Sequence, residues 1–451
     1  MYSMKSEETE PVTTLEERQR AHVLSTWTAQ SRAAPVSIHA AKGVWFQDEK
    51  GQRWLDLESQ VFNANLGHGE TRVTDAVTAQ LKRLACAHPA AVFETKAALG
   101  EALARITPEG IDRFFLCLSG AEANENALKM ARLLTGRKKV IARRRSYHGA
   151  TMGAVSLTGD HRRWPVEPGL WGVLRAEDPY CYRCPFGLEP ETCGVRCATH
   201  LEHLMEMEGP HTIAAVFAEG VTGANGGFIP PPDYWPTLRA ICDRYGVLLI
   251  SDEVFSGFGR TGRWFAVDHW DVVPDMITMA KGLTGGYAPL GAVGLRGDLA
   301  ARFDDETLWC GLTGYAHPVS VAAALAAIQV YEDDGLLENS AVRGVQLRAG
   351  LDALREKHEI IGDVQCLGLF GTLDFTADRA TRAPIVPYPQ MPPPDHFGGR
   401  LRAALQARRV HIAQRWTHLF IAPPLCISEE ELALGLDLID QALTEATGAT
   451  T

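Results

Sequence analysis

The chain has no apolar run near the ~20 residues that a membrane-spanning helix needs, so no helical membrane span is expected. It also lacks any Lys/Arg-rich block, and 44 basic against 55 acidic side chains leave a net charge of −11. That balance argues against nucleic acid and anionic membrane surfaces as partners and leaves small molecules. No internal repeat or low-complexity linker interrupts the 451 residues. Met1–Arg20 is polar and acidic without an apolar stretch, so neither a signal peptide nor a transit peptide is expected. The ten cysteines are scattered, six of them singly, which suits a reducing compartment better than a disulfide framework. Cytoplasmic residence is the expectation. What the chain does have is 46% hydrophobic residues, enough to bury a large core.

Short apolar runs in the middle of the chain read as strands, namely Phe114–Leu118, Ile213–Ala218, Val247–Ser251 and Met276–Ala280. Being apolar throughout, they suit central strands buried on both faces of a mostly parallel sheet, with helices such as Leu238–Tyr245 and the Ala-rich Val319–Tyr331 as crossovers. A second α/β pattern begins after Asp334: a helix through Lys357, a strand near Leu367–Phe375, a Pro-rich loop from Pro384 to Pro394, then a helix and strand leading to Ala422–Leu425. Near the start, Gly43–Phe46 and Trp54–Asp56 around Lys50-Gly51 read as a hairpin. The expected division is an N-terminal segment, 1–73, packing with a small C-terminal domain, 335–451, and a large domain, 74–334.

In α/β sheets ligands bind beyond the carboxyl ends of strands, and three such ends carry chemistry here. Phe114–Leu118 runs into Ser119-Gly-Ala-Glu122 and a helix to Thr135, closed by Gly136. Ser119 and Glu122 have capping-box spacing, and the helix start offers free N–H groups and a positive dipole end to a phosphate; an ordinary capped helix has the same pattern. Val247–Ser251 ends in Asp252-Glu253-Val254, whose first carboxylate could pair with a protonated pyridine nitrogen, cap a helix or bind a metal. Met276–Ala280 ends in Lys281-Gly282, where a lysine among small residues can form an imine with an aldehyde, although most lysines are solvated surface charges. Phosphate cradle, acid and lysine in that order make the parts of a pyridoxal 5'-phosphate site.

With these blocks the sequence resembles the class III (omega) aminotransferases of fold type I, from about His22 to Leu443. Ser119–Arg132 is similar to their phosphate-binding motif, and Ser146-Tyr-His-Gly149 to the next one. Leu249–Val254 with Gly257–Gly262, and Ala280-Lys-Gly282, are similar to the acid and lysine blocks. The resemblance implies an α/β fold with a mostly parallel central sheet and pyridoxal 5'-phosphate held by Lys281 as a Schiff base. It implies that Ser119, Gly120 and Ala121 bind phosphate, Tyr147 stacks on the ring beside His148, Asp252 pairs with the ring nitrogen and Val254 packs under the ring. Thr313 matches a threonine that reaches the neighbouring subunit's phosphate, implying a homodimer or a dimer of dimers. Ser59–His68, which contains Phe62, Thr158–Pro165 and Arg415-Trp416 resemble the taurine and omega-amino-acid branch. There Glu219 and Arg415 match a gate pair, the arginine binding an incoming carboxylate and otherwise turning to the glutamate. A small omega-amino acid or sulfonate such as beta-alanine or taurine is then the expected donor, and 2-oxoglutarate or pyruvate the acceptor, in a ping-pong transfer.

Four positions, in three places, depart from the family pattern. Tyr315 and Ala316 stand where serine and glycine are usual, Ala150 where two branches carry a substrate-binding arginine, and Phe255 where a polar residue or methionine is common. They leave open other chemistry on the same cofactor, such as decarboxylation, aminomutase or carbon–carbon bond-forming reactions, and a catalytically silent homologue is a further alternative. Cys181, Cys184, Cys193 and Cys197 could hold zinc or an iron–sulfur centre, but their spacing is irregular and ordinary reduced thiols are expected, with no metal.

Overall fold

The computed structural model describes residues 14–448. Its central sheet has seven strands, in spatial order Ile111–Cys117, Gly291–Arg296, Met276–Met279, Leu248–Asp252, Ile213–Glu219, Lys139–Arg143 and Val173–Ala176. All neighbours are parallel except Gly291–Arg296, which runs antiparallel to both of its neighbours. Ile213–Glu219 is buried along its whole length, as a strand covered by helices on both faces must be. The four strands expected from the sequence are present with boundaries moved by up to three residues, so that Asp252 ends its strand instead of following it.

Three strands of this sheet escape the apolar-run criterion. Lys139–Arg143 and Val173–Ala176 carry charged residues within short runs, and Gly291–Arg296 contains two glycines. Gly294 is there for packing, since a Cβ on it would come within 2.8 Å of Ile111 and 2.9 Å of Ile277 on the two flanking strands. The Ala-rich helix, Pro318–Asp333, packs on the helices Thr71–Arg83 and Glu94–Ile106, where small side chains allow close approach.

A second sheet, Ile361–Leu367, Phe370–Asp378, His418–Ile421 and Ala413–Arg415, is antiparallel and packs against the helix Leu336–Lys357. A third, Ala40–Lys42, Trp45–Gln47 and Arg53–Asp56, is an antiparallel meander whose last strand pairs in parallel with Val410–His411. Gly43, expected within a strand, lies just outside one with φ +59 and forms an isolated antiparallel bridge to His68. Among the described residues no helix is long and apolar enough to cross a membrane.

Arg260 joins these units. Fully buried, it donates to the carbonyls of Leu369 (2.9 Å) and Pro423 (2.6 Å), and to Asn65 Oδ1 (2.9 Å) and Ser59 Oγ (3.2 Å). Burial without a carboxylate partner lowers its pKa to about 10, still far enough above neutrality to keep the charge. Arg260→Lys keeps the charge but loses the fork that reaches four acceptors. Denaturant titration should show a loss of about 3 kcal/mol, because buried acceptors are left unpaired.

Candidate functional site

The carboxyl ends of the central strands converge on one hollow. Asp252, buried at the end of its strand, has Oδ2 2.7 Å from His148 Nδ1 and accepts from Asn124 Nδ2, also at 2.7 Å. Its Oδ1 accepts the Val254 N–H at 3.0 Å and retains a lone pair for a further donor. Asn124 is itself held, donating to the His148 carbonyl (2.8 Å) and accepting from Thr278 Oγ1 (2.9 Å). The acid is thus fixed by a neighbouring strand, a helix and a loop.

The helix Gly120–Thr135 starts beside it. Ser119 Oγ accepts from the Glu122 N–H at 3.2 Å, but the Glu122 carboxylate accepts from Leu118 N–H at 2.7 Å, so the expected capping box closes one residue early. The N–H groups of Gly120 and Ala121 have no acceptor among the described residues. These are two of the orphan donors of a helix start, and they fit a phosphate. Gly120 is required by space, because a Cβ there would lie 2.8 Å from a Val254 methyl. Gly149, at φ +133, brings the Tyr147–Gly149 loop against the same helix start, with its missing Cβ only 2.5 Å from that of Ala121.

Lys281 faces this acid from the next strand end, in a left-handed conformation with φ +48. Tyr331 holds the following turn by donating to the Gly282 carbonyl at 2.7 Å. The amine lies 5.7 Å from the Phe62 ring centre and 5.6 Å from that of Phe255, and the two rings meet edge-on at 4.9 Å. Burial lowers the lysine's pKa to about 8, with Asp252 and Glu219 opposing the shift. Ser59, Gln60, Val61 and Phe62 all have positive φ, between +48 and +65. That costs about 1–2 kcal/mol per residue, and it turns Phe62 inward while Val61 stays exposed.

Tyr147 is half-buried, with the Arg162 guanidinium 3.7 Å from its ring centre and Trp27 edge-on at 6.3 Å. Its N–H donates to Glu219 Oε1 at 2.7 Å, and Gly223 N–H donates to Oε2, also at 2.7 Å. Both oxygens of the buried Glu219 are therefore engaged by backbone. Among the described residues no carboxylate, Glu219 included, forms an ion pair with Arg415. Arg415 instead lines a cavity of about 840 Å³ together with Glu58, His161, Arg162, His411 and Trp416.

Thr313 is exposed. In the same loop Ala316 is buried with φ +50, a conformation that glycine adopts freely and alanine does not. Tyr315 packs its ring on Phe115 at 5.1 Å and under the Lys96 amine at 5.0 Å. Cys181, Cys184, Cys193 and Cys197 border a separate cavity of about 300 Å³. Burial raises the pKa of Cys181 and pushes that of Cys197 up to about 12, and all four are free thiols. Among the described residues no group of three or more His, Cys, Asp or Glu is placed to hold a metal.

Asn124, Thr278, Arg162 and Glu58 were not singled out by sequence reasoning. Asn124 left a signal, an asparagine on the buried face of a helix where that residue is disfavoured. Thr278 and Glu58 have partners remote in the chain, while Arg162, in the short helical turn His161–Val166, pairs with nearby Asp160 and reaches Tyr147 only through the fold.

A family model described as aminotransferase class-III matches residues 27–443. The taurine–pyruvate aminotransferase of Bilophila wadsworthia is 37% identical over 382 residues, 79% of this chain and 81% of that one. A leucine/methionine racemase of Thermococcus litoralis is 34% identical over 417 residues, 91% of each. Among solved structures, taurine:2-oxoglutarate aminotransferase from Bifidobacterium kashiwanohense, in complex with PLP and glutamate, superposes with a TM-score of 0.91 at 34% identity, covering 96% of this chain and 97% of that one.

Two expectations follow from the geometry. Ala316→Gly relieves the left-handed strain and should raise stability by about 0.5–1 kcal/mol in denaturant melts, net of the extra chain entropy of glycine. Reconstitution of the cofactor-free protein with pyridoxal 5'-phosphate should speed up as pH rises and level off above about 8, where the Lys281 amine has lost its proton. A rate still climbing near pH 10 would show an unshifted lysine.

Proposed function

The chain belongs to the class-III aminotransferases, a pyridoxal 5'-phosphate family of fold type I, and on that premise we propose that it moves an amino group from a small omega-amino acid or sulfonate, such as beta-alanine or taurine, to a 2-oxo acid in two half-reactions. The observation that carries this reading is the meeting of Lys281, the Asp252–His148–Asn124 cluster and the free N–H groups of Gly120 and Ala121 at one hollow. Those residues suit the cofactor: donors for its phosphate, a fixed carboxylate for its ring nitrogen and a readily deprotonated amine for its aldehyde. When bound, the cofactor supplies an aldehyde for the incoming amine and a ring that draws off electron density.

The chain's own residues do the rest. Lys281, once its amine is free, would take the proton from the donor carbon and deliver it to the carbon of the cofactor's aldehyde group, helped by its lowered pKa. Glu219 and Arg162 orient the Tyr147 loop, whose ring would stack on that of the cofactor. Val254, in its place against Gly120, would pack beneath the cofactor ring. Phe62 and Phe255 keep water from the amine. Arg415, without a carboxylate partner, docks the carboxylate or sulfonate of donor and acceptor. Thr313, exposed beside the exposed Trp309, suits a homodimer in which each copy completes the other's phosphate site. Cytoplasmic action and the division into 1–73, 74–334 and 335–451 are part of the same reading.

A second reading keeps the cofactor and changes the reaction, and it is favoured by the likeness to a racemase. Adding taurine or beta-alanine without an acceptor separates the two. One equivalent of oxo product per chain is expected, then none until pyruvate or 2-oxoglutarate is supplied. Lys281→Ala should lose both this burst and the visible absorbance of the bound cofactor; a variant that kept both would sink the assignment.

A further inference from the structure

The cavity lined by Arg415 holds a carboxylate that the proposed reaction does not use, and Lys281 is near enough to act on its charge. Glu58 lies half-buried on its wall, one residue before the left-handed turn Ser59–Phe62, which fixes where its backbone sits. Among the described residues its side chain has one polar neighbour, His411 Nε2, at 3.5 Å. Burial raises its pKa, against the pull of His411, Arg415 and Lys281, with Asp56 adding to the rise. Arg415 stands on the same wall, likewise without an ion-pair partner, and Glu58 is the first group sustaining its charge against burial. The cavity wall thus carries the Glu58 carboxylate among two guanidinium groups, Arg415 and Arg402, that have no ion-pair partner among the described residues.

Such a wall treats tails unequally. A carboxylate drawn to Arg415 also meets the field of Glu58, so a purely anionic tail gains less than it would from the arginine alone. A tail bearing both a carboxylate and a second ammonium satisfies both groups. At about 840 Å³ the cavity has room for it.

We propose that Glu58 is a specificity-determining residue, which biases the site toward amine donors carrying a second cationic group beside their carboxylate, that is, diamino acids. This rests on the reading of the site as a transaminase site and narrows its donor class.

Ornithine and delta-aminovalerate make a matched pair, because they share chain length, carboxylate and terminal amine and differ only in the second ammonium. Their dissociation constants for the cofactor-loaded protein, by calorimetry, and their kcat/KM values with pyruvate are compared at about pH 8.5, well above the ordinary carboxylate range. The wild-type chain should favour ornithine by about tenfold or more in both measures, and Glu58→Gln, which keeps the side chain's shape, should erase the preference chiefly through KM. Glu58→Ala gives the same direction and serves if the glutamine variant does not fold. Equal affinity for the two compounds in the wild type, or a preference that neither variant moves, would overturn the proposal. If Glu58→Gln erases the binding preference while neither compound yields an oxo product in the wild type, the pocket assignment stands and the transaminase reading falls.

Discussion

A guanidinium without a carboxylate holds the site together. Arg260 reaches Ser59 and Asn65 near the start of the chain and the Leu369 and Pro423 carbonyls toward its end, from a loop that follows the Asp252 strand. Each acceptor is neutral, so the charge is shared over dipoles that cannot move away without stranding it in a dry interior. Ser59 in turn donates to the Ala422 carbonyl at 2.6 Å, and Asn65 donates to the Phe258 carbonyl at 3.0 Å, so the acceptors of Arg260 are themselves fixed. The strained turn that carries Phe62 begins at one of these anchors. Its cost is offset because both of its ends are held from outside the turn.

Around that anchor the site uses burial in two opposite ways. Asp252 is buried yet surrounded by donors, which keeps a carboxylate tolerable beside an apolar strand. Lys281 faces two aromatic rings and no hydrogen-bonded carboxylate, so its charged form is the disfavoured one. A fixed anion and a readily discharged amine a short way apart are what the chemistry of the cofactor asks of its protein. Glu219 serves the arrangement by tying the Tyr147 loop to Gly223 through backbone N–H groups.

Much of this was legible before any coordinates. The apolar runs that end in Asp252 and Lys281, and the Ser119–Glu122 helix start, are local patterns with physical meaning, and the structure brings their residues to one hollow. What could not be read depends on partners far apart in the chain. The strand Gly291–Arg296 hides behind two glycines, one facing the Ser119 backbone and the other set by the bulk of Ile111 and Ile277. Asn124 and Thr278 are ordinary residues until the fold stacks them behind Asp252. The inward course of Phe62 is set by the Ser59–Phe62 turn, and four successive positive φ angles in residues other than glycine leave no compositional trace.

The pairing of Leu55 and Asp56 with Val410 and His411 has a consequence for how the molecule is made. The strand that precedes Glu58 and Phe62 finds its partner only after nearly the whole polypeptide has left the ribosome, and closing so long a loop is slow. Until then the central sheet can form with Asp252 and Lys281 in place while the wall above them is missing. A nascent chain would therefore expose the reactive lysine to solvent first and enclose it last.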